Sequence, residues 1–273
     1  MDTIMASVEI ICSQTAKQYL AQNKKNRKPC NKTINKLAKD MANGNWHLTG
    51  DSVKFDIDGV LIDGQHRLMA VVQCGIPQQM LVVRNVTPAA KIVTDTGKPR
   101  VFSNVLEFDN CKNAKDVATI TRAAYEFHYG KQSASTAVSH CEMVAFLNDN
   151  PEIHDCATWS TSNRKYYANF GHMAVWGAVY FASGKVDADK RDEFFELLKL
   201  PPQNARHPCT VVKNTLIANY RKGRFTASRT WVWAVIIKSW NAYMANKEVA
   251  MYKFCVGEPF PIMAGYEYPQ PDK

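Results

Sequence analysis

A chain of 273 residues that is 46% hydrophobic and 22% charged has enough apolar material for a packed core, which excludes a disordered chain. Its formal net charge of +9 permits a polyanionic partner without requiring one. The longest apolar runs, around residues 173–182 and 231–237, fall short of the ~20 residues of a membrane span, so no membrane partner is expected. The eight cysteines are scattered, with no Cys-x-x-Cys pair and no legible secretory leader. Reduced thiols in a cytoplasmic protein, without a zinc finger, are the expectation.

In chain order, Val8–Cys12 reads as a short strand, and Ser13 as the cap of a helix with Ala16, Tyr19 and Leu20 on one face. Asn31 reads as the N-cap of a second helix, whose stripe is Ile34, Leu37, Ala38 and Met41 and which Gly44 ends. Residues 53–63 (VKFDIDGVLID) form two apolar runs around Asp58-Gly59, a hairpin-turn dipeptide. The helix that follows has Leu68, Val71 and Val72 on one face and stops at Gly75. Met80–Arg84 is another strand, and Thr87-Pro88 opens a short helix ending at Asp95-Thr96-Gly97.

After Arg100 helical periodicity takes over. The spacing predicts helices over 103–108, 114–129, 136–148, 166–182, 188–198, 210–220 and 227–246. The last is apolar on most sides, with Trp231, Trp233, Val235, Ile236, Ile237 and Trp240, as suits the centre of a bundle. Pro259, Pro261, Pro269 and Pro271 exclude a helix near the end. The fold class is therefore α+β: a mixed α/β domain over 1–102, a helical domain over 103–250, and a Pro-rich tail over 251–273.

The segment Val60–Arg67 (VLIDGQHR) is the candidate functional centre. An apolar strand runs into a polar loop with one glycine, and a helix follows at once. The first N–H groups of a helix carry the positive end of its dipole and favour anions. Gly64 lets a ligand approach the backbone, and Arg67 can grip phosphate in bidentate fashion. His66 can donate to a phosphate oxygen or relay a proton, Gln65 can orient a water, and Asp63 can cap the helix or hold a divalent metal. The same residues also suit a plain N-cap, an ion pair and a surface histidine.

A second constellation is Asp95-Thr96-Gly97-Lys98-Pro99-Arg100. Thr96, Lys98 and Arg100 suit a phosphate and Asp95 a metal or ribose hydroxyl, or the run is a glycine C-cap with basic residues at the dipole end. Asn26-Arg27 is a third, with Arg27 either reaching the same pocket or solvated. Basic residues cluster over 24–39 and again from Lys213 to Lys238, as solvated faces or as nucleic-acid contacts.

The first hundred residues resemble the ParB/sulfiredoxin-like superfamily, in its DGQHR-motif branch. The residues that carry this are Asn26-Arg27, Lys36-Leu37-Ala38 through Met41, Gly44-Asn45-Trp46, Leu61–Leu68, and Asp95-Thr96-Gly97 with Arg100. The Trp240–Tyr243 helix and the Gly257–Pro261 tail extend the likeness to ParB N-terminal-domain proteins of phages and prophages, which would place the chain in the host cytoplasm. The resemblance implies nucleotide binding at the loop: ATP or CTP, with Mg2+, by His66, Gln65 and Asp63 as catalytic residues and Gly64, Arg67, Arg27, Asp95, Thr96, Gly97, Lys98 and Arg100 as phosphate-binding ones. Sulfiredoxins have a cysteine where Gln65 stands, so sulfinic-acid reduction is not implied. The superfamily's serine kinases use an upstream glutamate, for which Glu9 is the candidate.

The expected function is thus a nucleoside-triphosphate-binding protein of DNA-related metabolism that hydrolyses its ligand or transfers phosphate from it. The alternative is a non-catalytic DNA-binding accessory or counter-defence protein. DNA is a plausible partner, and an oligomer is compatible with the chain.

Overall fold

The computed structural model describes residues 3–24, 26, 28–87, 90, 101–130, 138–202, 204–221, 224–225, 227–255 and 257–269, and not the side chains of 220, 221, 224 and 225. The fold is mixed α+β. The chain forms two compact units: residues 1–99 with 136–142, and residues 100–135 with 143–273.

The first unit is built on a four-stranded mixed sheet of β1 (Met5–Ile11), β2 (Ser52–Asp56), β3 (Leu61–Asp63) and β4 (Gln78–Val86), in the order β1-β4-β2-β3. β1 runs antiparallel to β4, β4 parallel to β2, and β2 antiparallel to β3. Strand alternation sends Val53 and Phe55 of β2 and Met80 and Val82 of β4 to the buried face. There they meet the apolar stripes of α1 (Ser13–Ala21), α2 (Asn31–Ala42) and α3 (Gln65–Cys74). Ile34, Ala38 and Met41 of α2 and Leu68 and Val71 of α3 are buried in that core. Each large aliphatic side chain removed from water contributes roughly 1.5–3 kcal/mol.

Two caps differ from expectation by one residue. Cys12, not Ser13, caps α1, because its sulfur accepts the Thr15 N–H at 3.5 Å; Cys30, in extended backbone, precedes α2. The expected hairpin is present as β2–β3. Its turn is held by the Asp56 carboxylate, which accepts the amides of Asp58 at 3.0 Å and Val60 at 2.8 Å. The short helix expected from Thr87 to Gly97 lies outside the described residues apart from Thr87 and Ala90.

A polar cluster ties β1 to β4. Arg84 donates to Glu9 at 2.5 and 3.3 Å and to the Tyr19 hydroxyl at 2.8 Å, and the Tyr19 hydroxyl donates to Glu9 at 2.6 Å. The Arg84 guanidinium, aided by Tyr19 and Ser7, holds the Glu9 carboxyl down at about 2. A depressed carboxylate stabilises the folded state above its ordinary value of 4.5 and loses that contribution as pH falls toward about 2. Urea unfolding over this window should show an acid limb that is shallower in Glu9→Gln; an unchanged limb would remove Glu9 from the account.

The second unit holds α4 (Phe102–Phe108), α5 (Ala114–His128), α6 (His140–Asp149, its first turn grouped with the first unit), α7 (Ile153–Tyr167), α8 (Met173–Val186), α9 (Ala188–Lys199), α10 (Pro208–Ile217), a two-residue hairpin of β5 (Tyr220–Arg221) and β6 (Arg224–Phe225), and α11 (Arg229–Met244). As expected, α11 is the buried element: Val232 through Ile237 and Trp240 are fully excluded from solvent. Where one helix was expected over 166–182, α7 ends at Tyr167 and α8 begins at Met173. Gly171 sits in the break, where a Cβ would lie 2.9 Å from Val232 Cγ1. Between its buried ends, Ile153 and Tyr167, α7 buries only the small Cys156, Ala157 and Ser160, so its periodicity is faint in the sequence. The Pro-rich segment packs on this unit. Met263 is buried, and the Asn241 side chain donates to Ile262 O and accepts from Ala264 N, each at 2.8 Å.

All eight cysteines are free. Among the described residues no helix is long and apolar enough to cross a membrane.

Candidate functional site

The loop between β3 and α3 is shaped by its glycine. Gly64 adopts φ +98°, and a Cβ there would lie 3.0 Å from both Cα and Cγ2 of Val53. The junction therefore runs against the β2 backbone as only glycine permits. α3 starts at the next residue, so Gln65, His66 and Arg67 form its first turn.

Hairpin pairing sets Lys54 of β2 opposite Asp63 of β3. The Asp63 carboxylate accepts from Lys54 Nζ at 2.8 Å, from Arg67 Nη2 at 3.3 Å and from the Gly64 amide at 2.6 Å. Arg67 Nη2 also donates to the Ser52 carbonyl at 3.0 Å. Two cations thus share one anion, and their side chains are largely shielded, 28% and 15% exposed. The arrangement keeps one net positive charge beside the positive end of the α3 dipole.

The loop before α2 is fastened to the same junction. Leu61 N–H donates to Gln22 O at 3.1 Å, and Asn26 Nδ2 donates to Leu61 O at 2.8 Å. The buried Gln65 accepts from Asn23 Nδ2 at 3.1 Å, and His66 Nε2 accepts the Cys30 amide at 3.0 Å.

These elements wall a cleft of about 890 Å³. The β3–α3 junction with Lys54 makes one side. α2, through Thr33, Leu37 and Asp40, and the coil after it, through Trp46, His47 and Asp51, make the rest. The Trp46 ring is oriented by its Nε1–H, which donates to Gln79 O at 2.9 Å. Burial pushes the Asp40 carboxyl above the usual carboxylate range. The junction side is rich in donors and the far side bears carboxylates, so the cleft can take an anion at one end and hydrogen-bond donors at the other.

No family model, no curated protein and no solved structure matches the chain.

Of the residues singled out from the sequence, Asp63, Gly64, Gln65, His66 and Arg67 all line this cleft. Arg27, Asp95, Thr96, Gly97, Lys98 and Arg100 lie outside the described residues. Glu9 is engaged by Arg84 and Tyr19 and is not among the lining residues. Lys54, Asp40 and Trp46 enter the cleft without having been singled out as ligands. Lys54 was findable, because the Asp58-Gly59 turn sets it across from Asp63. Asp63 as a metal ligand has its oxygens already turned to Lys54, Arg67 and Gly64. Among the described residues no three His, Cys, Asp or Glu side chains gather to hold an ion. A Mg2+ ion entering with a nucleotide would draw most of its ligands from phosphate and water.

The basic clusters meet acids supplied from far along the chain. Lys39 pairs with Glu142, Arg229 with Glu126 at 3.1 Å, and Lys238 with Glu258. Lys24, Lys28 and Lys32 remain exposed.

Proposed function

We propose that this chain is a nucleotide-binding protein of the ParB/sulfiredoxin-like kind, holding the phosphates of ATP or CTP against the β3–α3 junction. The observation that carries the reading is the junction itself: a glycine-permitted strand–helix turn that opens, beside Lys54 and Arg67, into a roomy cleft. A cleft of about 890 Å³ falls within the range of small-molecule sites and suits a triphosphate with its base. Hydrolysis or phosphoryl transfer is compatible with this donor set, because such reactions depend mainly on positioning and charge. Gln65, at the place of the sulfiredoxin cysteine, points away from sulfinic-acid reduction.

A DNA-binding role is favoured less. Three of the lysines and arginines on which it rests are paired within the fold.

Titration calorimetry with ATP, CTP and GTP tests the reading. Binding of one of them is expected, weakened roughly tenfold or more in Arg67→Ala, as loss of a charge-assisted hydrogen bond predicts. Absence of binding by the unaltered chain, or equal binding by a folded Arg67→Ala, would sink it.

A further inference from the structure

We infer that Trp46 holds the nucleobase, which stacks on its indole face, and so supplies the part of the affinity that phosphate contacts cannot. The inference rests on the nucleotide reading proposed above and adds to it the side chain that the base meets.

The argument starts from what the junction leaves undone. Lys54, Arg67 and the first amides of α3 suit phosphate oxygens, but none of them distinguishes a nucleotide from a bare chain of phosphates. A base offers a flat π-face, and an aromatic side chain is its simplest partner. Of the six tryptophans, only Trp46 belongs to the first unit. It is also the one Phe, Tyr or Trp among the residues that line the cleft, whose wall is otherwise mostly polar.

The ring is held in place before any ligand arrives. Its Nε1–H donates to Gln79 O of β4 at 2.9 Å, which fixes the edge of the indole against the sheet. The Asn45 amide donates to Asp40 O at 2.8 Å, which closes the turn after α2 directly ahead of Trp46. The side chain packs in part on the core of the first unit and stays half-buried. Trp159, by contrast, is stacked on Tyr180 at 4.1 Å, and Trp176, Trp233 and Trp240 are fully buried. Among the described residues no aromatic ring and no cation covers Trp46. A ring already fixed by its own hydrogen bond and packing loses little freedom when a base lies on it.

Titration calorimetry of the full chain with ATP, CTP and inorganic tripolyphosphate, each with Mg2+, tests this. Whichever of ATP and CTP binds should bind roughly five- to 150-fold more tightly than tripolyphosphate, the range that stacking on one aromatic side chain gives. Trp46→Leu should bring the nucleotide down to the level of tripolyphosphate and leave tripolyphosphate binding as it was. Trp46→Phe, which keeps a ring, should retain most of the difference. Equal binding of nucleotide and tripolyphosphate by the unaltered chain, or a preference that survives in Trp46→Leu, would overturn the inference and leave the phosphate seat standing. Failure of all three ligands to bind would contradict the nucleotide reading, and this inference with it.

Because Trp46 also packs on the core, a second measurement keeps its side chain in place. In 19F spectra of the full chain labelled with 5-fluorotryptophan, the Trp46 signal is assigned by its loss in Trp46→Phe. That signal should move with the nucleotide and stay put with tripolyphosphate. The same response to both, or none to a nucleotide that binds, would overturn the inference.

Discussion

Gly64→Ala should destabilise the first unit more than any other single methyl added in the cleft. Two costs combine. At φ +98° a side chain meets left-handed strain of order 1–3 kcal/mol. Its Cβ would also stand 3.0 Å from Val53 Cα, a backbone atom of β2 that can yield only if the strand shifts. Overpacking of this kind costs typically about 1–3 kcal/mol more. Gly59→Ala is the internal control: Gly59 has φ +72° but open space where the Cβ would go, so it bears the first cost alone. Urea unfolding of both variants should place Gly64→Ala well below Gly59→Ala, with nucleotide binding weakened in the former. Equal midpoints would mean that the junction does not press on β2 as described.

Trp240→Ala should be as costly in the second unit. The side chain is fully buried, edge-on to Phe194 at 5.5 Å and beside Tyr243 at 6.0 Å. Truncating a buried tryptophan costs about 3–5 kcal/mol, the lost transfer energy plus that of the cavity left behind. Trp240→Phe should cost much less. It fills most of the space and also removes the indole N–H, which is buried without a hydrogen-bond partner. Circular dichroism during urea titration distinguishes the two. A phenylalanine variant as damaged as the alanine one would show that Nε1 has a partner after all, such as a buried water.

The parts of the molecule legible in the sequence are those decided by neighbouring residues. The β3–α3 junction is written locally, as an apolar strand, a glycine and a helical stripe of Leu68 and Val71, and the fold has it in that form. So is α11, whose run of apolar residues leaves burial as the only outcome. What the sequence hides is what depends on distant pairing. Lys54 becomes a cleft residue through the β2–β3 register and the Asp63 carboxylate, and Asp40 through the placement of α2 beside a coil. The basic runs look uncompensated because Glu126, Glu142 and Glu258 lie elsewhere along the chain. α7 is faint because between Ile153 and Tyr167 its buried residues are the small Cys156, Ala157 and Ser160, which carry little hydrophobic contrast. The Cys30–His66 bond joins residues that no spacing rule would connect.

The central claim is that nucleotide phosphates rest on the first turn of α3. Its most direct test is a crystal structure of the full chain with a non-hydrolysable ATP or CTP analogue. The account predicts phosphate density within hydrogen-bond reach of the Gln65–Arg67 backbone amides, with Lys54 and Arg67 beside it. A nucleotide bound in any other cavity, with the junction making no contact to it, would contradict the account.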